Sequence, residues 1–334
     1  MALDLPFVWG VLIALAVFLY TALDGFDLGI GILFPVLGTE GNRDRAMNSI
    51  APVWDGNETW LVLGGGGLFA AFPMAYSVLL TAFYPLVIGM LLALVFRGVA
   101  FEFRFKATTS GAKARWSVAF WAGSLVAALC QGIMLGAFIQ GVAVEDGRYV
   151  GGWFDWLSPF SLLTGLAVPC GYALLGTGWL AMKGDGNLAD LAFRYAVRCA
   201  LGTVGFIALV SAFTPLVDPD AMNRWFGPNM ILYGVAPVAV ATLAVLLHGA
   251  IGKRRAGLVF LLGQGLFVAC YLGFAITKYP FIIPNTVTFR TAAADESALA
   301  FLLPGALVLL PIIIGYTGYA YWVFRGKTSG KGYH

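Results

Sequence analysis

Nine apolar stretches, separated by short polar connections, set the pattern of this chain. They fall at about 7–34, 51–70, 75–97, 117–143, 158–182, 198–217, 229–250, 256–280 and 299–324. A membrane helix needs roughly 20 consecutive apolar residues, so each stretch predicts one span. The pattern is that of an all-α integral membrane protein with about nine transmembrane helices. Residues 1–334 read as a single polytopic membrane domain, and no internal repeat stands out. The first stretch reads as a retained span and not as a cleaved signal. It lacks a basic start, carries Asp4, and runs into the polar string Asp24-Gly25-Phe26-Asp27 instead of a small-residue cleavage site.

Loop charge gives the orientation. With the N-terminus outside, the inside segments hold Arg43, Arg45, Arg104, Lys106, Lys113, Arg115, Lys183, Arg194, Arg198, Lys253, Arg254, Arg255, Arg325, Lys327 and Lys331. The outside segments hold only Arg148, Arg224, Lys278 and Arg290, and Arg97 is expected at an inner membrane edge, ending the third span. The positive-inside rule therefore predicts an outside N-terminus and a cytoplasmic C-terminus. Trp153, Trp156 and Trp225 near outer boundaries, and Trp116 and Trp322 near inner ones, fit interfacial anchoring.

Composition narrows the class. Hydrophobic residues are 60 % of the chain and charged residues 11 %, against about 25 % charged in a soluble domain. So little charge excludes a soluble enzyme, a disordered chain and a nucleic-acid binder. The cysteines Cys130, Cys170, Cys199 and Cys270 show no CxxC spacing and read as small buried hydrophobes. His248 and His334 are the only histidines, so a His-rich metal site is excluded and no metal ligand set is expected. His248, beside Lys253–Arg255, reads as an interface residue.

The candidate chemistry lies in acids within the spans: Asp24, Asp27, Asp55 and Glu58. An Asp at a helix centre costs roughly 2.5–3.5 kcal/mol to insert, so these groups are expected to face protein or water. Asp24 and Asp27 are i,i+3 on span 1, and Asp55 and Glu58 are i,i+3 on span 2, so each pair is expected on one helix face. Both pairs fall in the inner half of the membrane, within reach of Arg97. Two uses fit equally. One is a polar inlet that conducts protons, with Asn57 and Thr59 adding hydrogen bonds; the other is an ion-pair cluster around Arg97 that only fixes packing. Gly64–Gly67 allow either a broken helix or a very close neighbour. Gln131, Gln140 and Gln264 read as helix-to-helix hydrogen bonders.

The strings around these acids are specific. Asp24-Gly25-Phe26-Asp27-Leu28-Gly29 is followed by the 13 residues Asn48-Ser49-Ile50-Ala51-Pro52-Val53-Trp54-Asp55-Gly56-Asn57-Glu58-Thr59-Trp60. Phe69-Ala70-Ala71-Phe72-Pro73 and Phe96-Arg97-Gly98-Val99-Ala100-Phe101-Glu102-Phe103-Arg104 come next. Together they resemble subunit II of the cytochrome bd-type quinol oxidases, and most of all the cyanide-insensitive branch. The motifs cover the first third of the chain; length, span count and topology match over all of it.

The resemblance implies a respiratory oxidoreductase of the bacterial inner membrane that oxidises quinol and reduces oxygen to water. It implies a heterodimer with a subunit I that carries the axial ligands of the haem b and haem d-type centres. It leaves room for a structural quinone and for a small single-span third subunit, besides membrane lipid and the quinol substrate. On the same basis Asp55 matches a carboxylate of the proton route to the oxygen-reducing haem. Asp27 and Asp24 match the intramembrane acids of their motif, and Glu58 follows the branch-specific form. Trp54 matches the aromatic before the proton-route Asp, beside haem or quinone. An ion-coupled secondary transporter is the alternative that the acid layer and the glycine run keep open.

Overall fold

The computed structural model describes residues 4–328, so Lys331 and His334 lie outside the described residues. The chain is almost entirely helical. Its long helices are α1 (Leu5–Leu33), α3 (Trp54–Ala71), α4 (Pro73–Lys106), α5 (Ser110–Gln140), α6 (Pro159–Lys183), α7 (Gly186–Val217), α9 (Met230–Gly252), α10 (Ala256–Lys278) and α12 (Glu296–Val323). The short helices are α2 (Glu40–Ile50), α8 (Pro219–Trp225) and α11 (Phe289–Ala292). Two small antiparallel hairpins complete the chain: β1 (Val144–Glu145) with β2 (Arg148–Tyr149), and β3 (Phe281–Ile283) with β4 (Val287–Thr288).

Eight of the long helices are long and apolar enough to cross a bilayer. The other is α3, whose 18 residues include Asp55 and Glu58. At 1.5 Å per residue it is about 27 Å long, close to the roughly 30 Å of a hydrocarbon core. Successive long helices alternate in direction between two ends of the bundle. One end carries α2 and the turns α4–α5, α6–α7 and α9–α10; the other carries both hairpins, α8 and α11.

The local sequence explains where helices start and stop. Asp4 caps α1 by accepting from the Phe7 N–H. Pro35 sits in a 3₁₀ turn after α1, Gly38 turns the chain at φ +78°, and Thr39 caps α2. Ser158 and Ser161 form a reciprocal cap on α6, and Pro159 stands at its first position. Interior prolines in α4, α6, α7, α9 and α12 leave those helices unbroken, as is tolerated where neighbouring helices satisfy the freed carbonyls.

Helix α1 is the hub, packing on α3, α5, α6, α10 and α12. Its contact with α6 is backbone on backbone: a Cβ at Gly29 would stand 1.8 Å from the Tyr172 carbonyl oxygen, and one at Gly176 only 2.6 Å from the carbonyl carbon of Gly29. Small residues let membrane helices approach this closely where no hydrophobic effect drives them together. Gln264 and Tyr271 of α10 donate to the Ala22 and Ala14 carbonyls of α1, each at 2.7 Å. Helix α12 is among the least embedded, with only Leu299 and Leu310 buried.

One sequence expectation needs correction here. Arg97 does not end its helix: α4 continues nine residues to Lys106, with Arg97, Ala100, Phe101 and Arg104 buried at helical spacing along one face. Of the two readings of the glycine run, the structure takes the close neighbour: α3 is unbroken, Gly64 packs on Val17 and Gly67 on Ile13, whereas Gly65 and Gly66 face open space.

Candidate functional site

The acids converge where α1, α3, α4 and α12 meet. Arg97 of α4 donates from Nη1 to Asp24 Oδ1 at 2.6 Å and from Nη2 to Glu58 Oε2 at 2.7 Å. Arg97 and Asp24 are buried; the Glu58 side chain is 29 % exposed, so one limb of the cluster opens to the surroundings. Fixing one guanidinium by two carboxylates on two other helices ties α1, α3 and α4 together. An unpaired charge here would cost several kcal/mol.

Asp27 lies one turn along α1 and is fully buried. Its Oδ2 accepts from the Asn57 amide at 2.7 Å, and the Tyr321 hydroxyl of α12 donates to Asn57 Oδ1 at 2.8 Å. Asp24 Oδ2, Asp27 Oδ1, Arg97 Nε and Trp60 Nε1 have no protein partner. Four orphaned polar atoms in one buried region are unusual, since buried polar groups are nearly always paired with protein or water. Such a site is polar enough to hold water.

Asp55 stands apart. It is exposed on the outer surface of α3, while Asn57 and Trp60 of the same helix are buried. At about 100° per residue, Asp55 points roughly 160° away from Asn57, with Glu58 on the flank between them. The i,i+3 spacing therefore does not give Asp55 and Glu58 a common partner: Glu58 joins Arg97 and Asp55 does not. Thr59 donates to the Asp55 carbonyl and lies on the same exposed side. Trp54 stacks on Phe101 with centroids 5.1 Å apart, and the Arg97 guanidinium lies 6.0 Å from its ring.

Sequence reasoning brought Asp24, Asp27, Glu58 and Arg97 together but missed Tyr321. Nothing in the primary pattern singles out one tyrosine of an apolar span 264 residues away from Asn57. It also missed a polar triad next to the cluster, in which Gln131 donates to Tyr20 at 2.8 Å and accepts from Tyr172 at 2.7 Å. Gln140 contacts Ser158 and Gln264 contacts Ala22, so all three glutamines bond between segments.

At the end that carries α2, Arg104 is buried among Ser117, Asp44 and Glu40, and Lys113 also bonds Asp44. For Asp44 burial raises the carboxyl pKa, but the bonds from Arg104 and Lys113 outweigh it and hold it below the ordinary value. At the opposite end Lys278 and Asp218 form a buried pair, completed by Asn285 and the Ile139 carbonyl.

Among the described residues no group of three or more His, Cys, Asp or Glu is arranged to hold a metal ion.

The comparisons with known proteins agree in one direction. A family model described as cytochrome bd terminal oxidase subunit II matches residues 5–324. The cytochrome bd-I ubiquinol oxidase subunit 2 of Escherichia coli K12 is 30 % identical over 364 aligned residues, covering 97 % of this chain and 95 % of the relative. The cytochrome bd ubiquinol oxidase subunit 2 of Bacillus subtilis 168 is 30 % identical over 332 residues, covering 97 % and 96 %. A solved bd oxidase structure from Geobacillus thermodenitrificans superposes with a TM-score of 0.77 at 18 % identity, over 96 % of this chain and 99 % of that one.

Proposed function

The chain belongs to the cytochrome bd terminal oxidase subunit II family, and from that premise we propose that it scaffolds the haem-bearing subunit I and delivers protons to it from the cytoplasm. It is a multi-pass protein of the bacterial inner membrane and part of a quinol-oxidising respiratory complex. In this reading residues 1–334 act as one polytopic domain, with the α2-bearing end in the cytoplasm. The charge distribution supports that orientation: Lys and Arg crowd this end, and Arg148, Arg224, Lys278 and Arg290 are all the other has.

The single observation that carries the proton reading is the carboxyl surplus. Three carboxyls, Asp24, Asp27 and Glu58, stand in one cluster with a single guanidinium that bonds Asp24 and Glu58 but not Asp27, and Asp24 and Asp27 each keep an oxygen with no protein partner. A purely structural cluster needs neither the surplus nor the free oxygens. Glu58, partly exposed, takes the entry role; Asp24 and Asp27 hold protons within the bundle. Asp55, on the outer face of α3, hands them to subunit I, and Trp54 beside it contacts the haem or quinone side of that partner. An exposed carboxyl on a membrane helix is expensive against lipid and reasonable against a polar partner surface.

The residues of this chain do not fit a haem of their own. His248, the one histidine among the described residues, is exposed on α9 and is absent from the acid site. The haem chemistry of the complex is accordingly assigned to subunit I.

The test is Asp55→Asn in the purified, assembled complex. A quinol-driven oxygen uptake lowered about tenfold or more, with haem spectra and subunit content unchanged, supports proton delivery; a tenfold loss corresponds to about 1.4 kcal/mol of barrier. Wild-type turnover in that variant rejects the exit role of Asp55.

A further inference from the structure

The hydrogen-bond chain at Asp27 runs through Asn57 to α12. The Asn57 side chain has one acceptor oxygen and one NH2. Its NH2 faces Asp27 Oδ2 and, at 3.4 Å, the Leu23 carbonyl; its oxygen faces the Tyr321 hydroxyl. Turned over, the amide would present its oxygen to the Asp27 carboxyl and lose both acceptors. The two acceptors, Asp27 Oδ2 and the Leu23 carbonyl, fix this orientation, and the Tyr321 hydroxyl, donating to the Asn57 oxygen, holds the amide in place from the other side.

Tyr321 is itself held by two devices. Its ring meets Phe26 at 6.4 Å and Trp179 at 5.9 Å, both edge-on, and those two rings stack on each other at 4.3 Å. Phe26 immediately precedes Asp27 in the Asp24–Asp27 string. The second device is a strap. The buried Lys183 at the end of α6 lies over Trp179 and donates to the carbonyls of Phe324 and Gly326, past the end of α12. Lys327 donates back to the Gly184 carbonyl, and the Thr328 N–H to that of Lys183. These bonds matter because α12 buries so little else.

We propose that Tyr321 is a positioning residue for Asp27, seated by the Lys183 strap, and that α12 thereby governs how readily the buried acid passes its proton. The inference rests on the proton-delivery reading. It needs three variants in the whole oxidase complex: Tyr321→Phe, Lys183→Met and Asp27→Asn. The readouts are quinol-driven oxygen uptake in H2O and D2O, the KM for quinol, and haem spectra.

Tyr321→Phe is expected to lower turnover about three- to tenfold, to raise the solvent isotope effect, and to leave KM and haem spectra unchanged. Added to Asp27→Asn it should have little further effect, since both act at one group. Lys183→Met should move the same readouts in the same direction. Wild-type turnover and isotope effect in Tyr321→Phe, with Asp27→Asn slow, overturn the proposal and leave proton delivery standing. Wild-type turnover in Asp27→Asn overturns the role of Asp27 in delivery and with it this inference. Wild-type behaviour of Lys183→Met beside a slow Tyr321→Phe removes the strap from the account.

Discussion

Arg97 and Asp24 form a buried ion pair at 2.6 Å between α4 and α1, and the same guanidinium reaches Glu58 of α3 at 2.7 Å. Three helices are joined at one charged point. Replacing Arg97 by Met leaves two carboxyls without a counter-charge, which costs about 3–5 kcal/mol. The expected outcome is a strong fall in assembled complex, read by size-exclusion yield and thermal stability in detergent. Adding Asp24→Asn should recover part of the loss; adding Asp55→Asn should recover none, because Asp55 does not touch Arg97.

The glycines divide into two kinds. Gly29→Ala forces its methyl into the Tyr172 carbonyl, so α1 and α6 must separate. Loss of folded protein is expected. Gly65→Ala and Gly66→Ala meet open space, and each exchange gains up to about 1 kcal/mol of helix propensity. A melting temperature equal to or above wild type is expected for both, unless that face of α3 is where subunit I sits; a stable chain that no longer captures subunit I would map the interface.

The α2-bearing end should respond to acid. Asp44 titrates below the ordinary carboxylate value of 3.8 in the folded chain. A depressed pKa adds stability above the unfolded value, and that stability is lost as pH falls through the folded one. Asp44→Asn should therefore lower the unfolding midpoint at pH 7 and make no difference once the pH has fallen below the folded-state value. Because the side chain is a third exposed, the effect at neutral pH should be on the order of 1 kcal/mol. A midpoint difference that persists unchanged into strong acid would contradict the assignment.

At the opposite end, Lys278→Met isolates the buried Asp218. A loss of about 3–5 kcal/mol is expected from the single change, and a smaller one when Asp218→Asn accompanies it. A double-mutant cycle on thermal unfolding measures the coupling. Additive losses would show that the two charges act independently.

The order of spans was legible because bilayer thickness sets their length, and all nine predicted segments overlap a long helix. The acid layer was legible for the same kind of reason: charge in an apolar span is expensive, so Asp24, Asp27 and Glu58 had to find one another or Arg97. What was not legible depends on helix rotation and distant contacts. Period alone cannot say that Asn57 and not Asp55 faces α1. It cannot pick out Tyr321 from the tyrosines of α12, nor foresee that Phe101–Lys106 would prolong α4 and leave Arg97 deep inside the bundle. The pairing of Lys278 with Asp218 was hidden because each sits at the frayed edge of a predicted span.

The Arg97–Asp24 pair also has a history in time. The two residues are 73 positions apart, and a ribosome adding about 5–20 residues per second takes roughly 4–15 s to cover that distance. During that interval α1 carries two carboxyls with no counter-charge, each costing roughly 2.5–3.5 kcal/mol in hydrocarbon. The first helix made is thus among the last to become comfortable in lipid. Its commitment to the membrane waits on α4, and a chain cut short before Arg97 should leave α1 only loosely inserted and open to proteolysis.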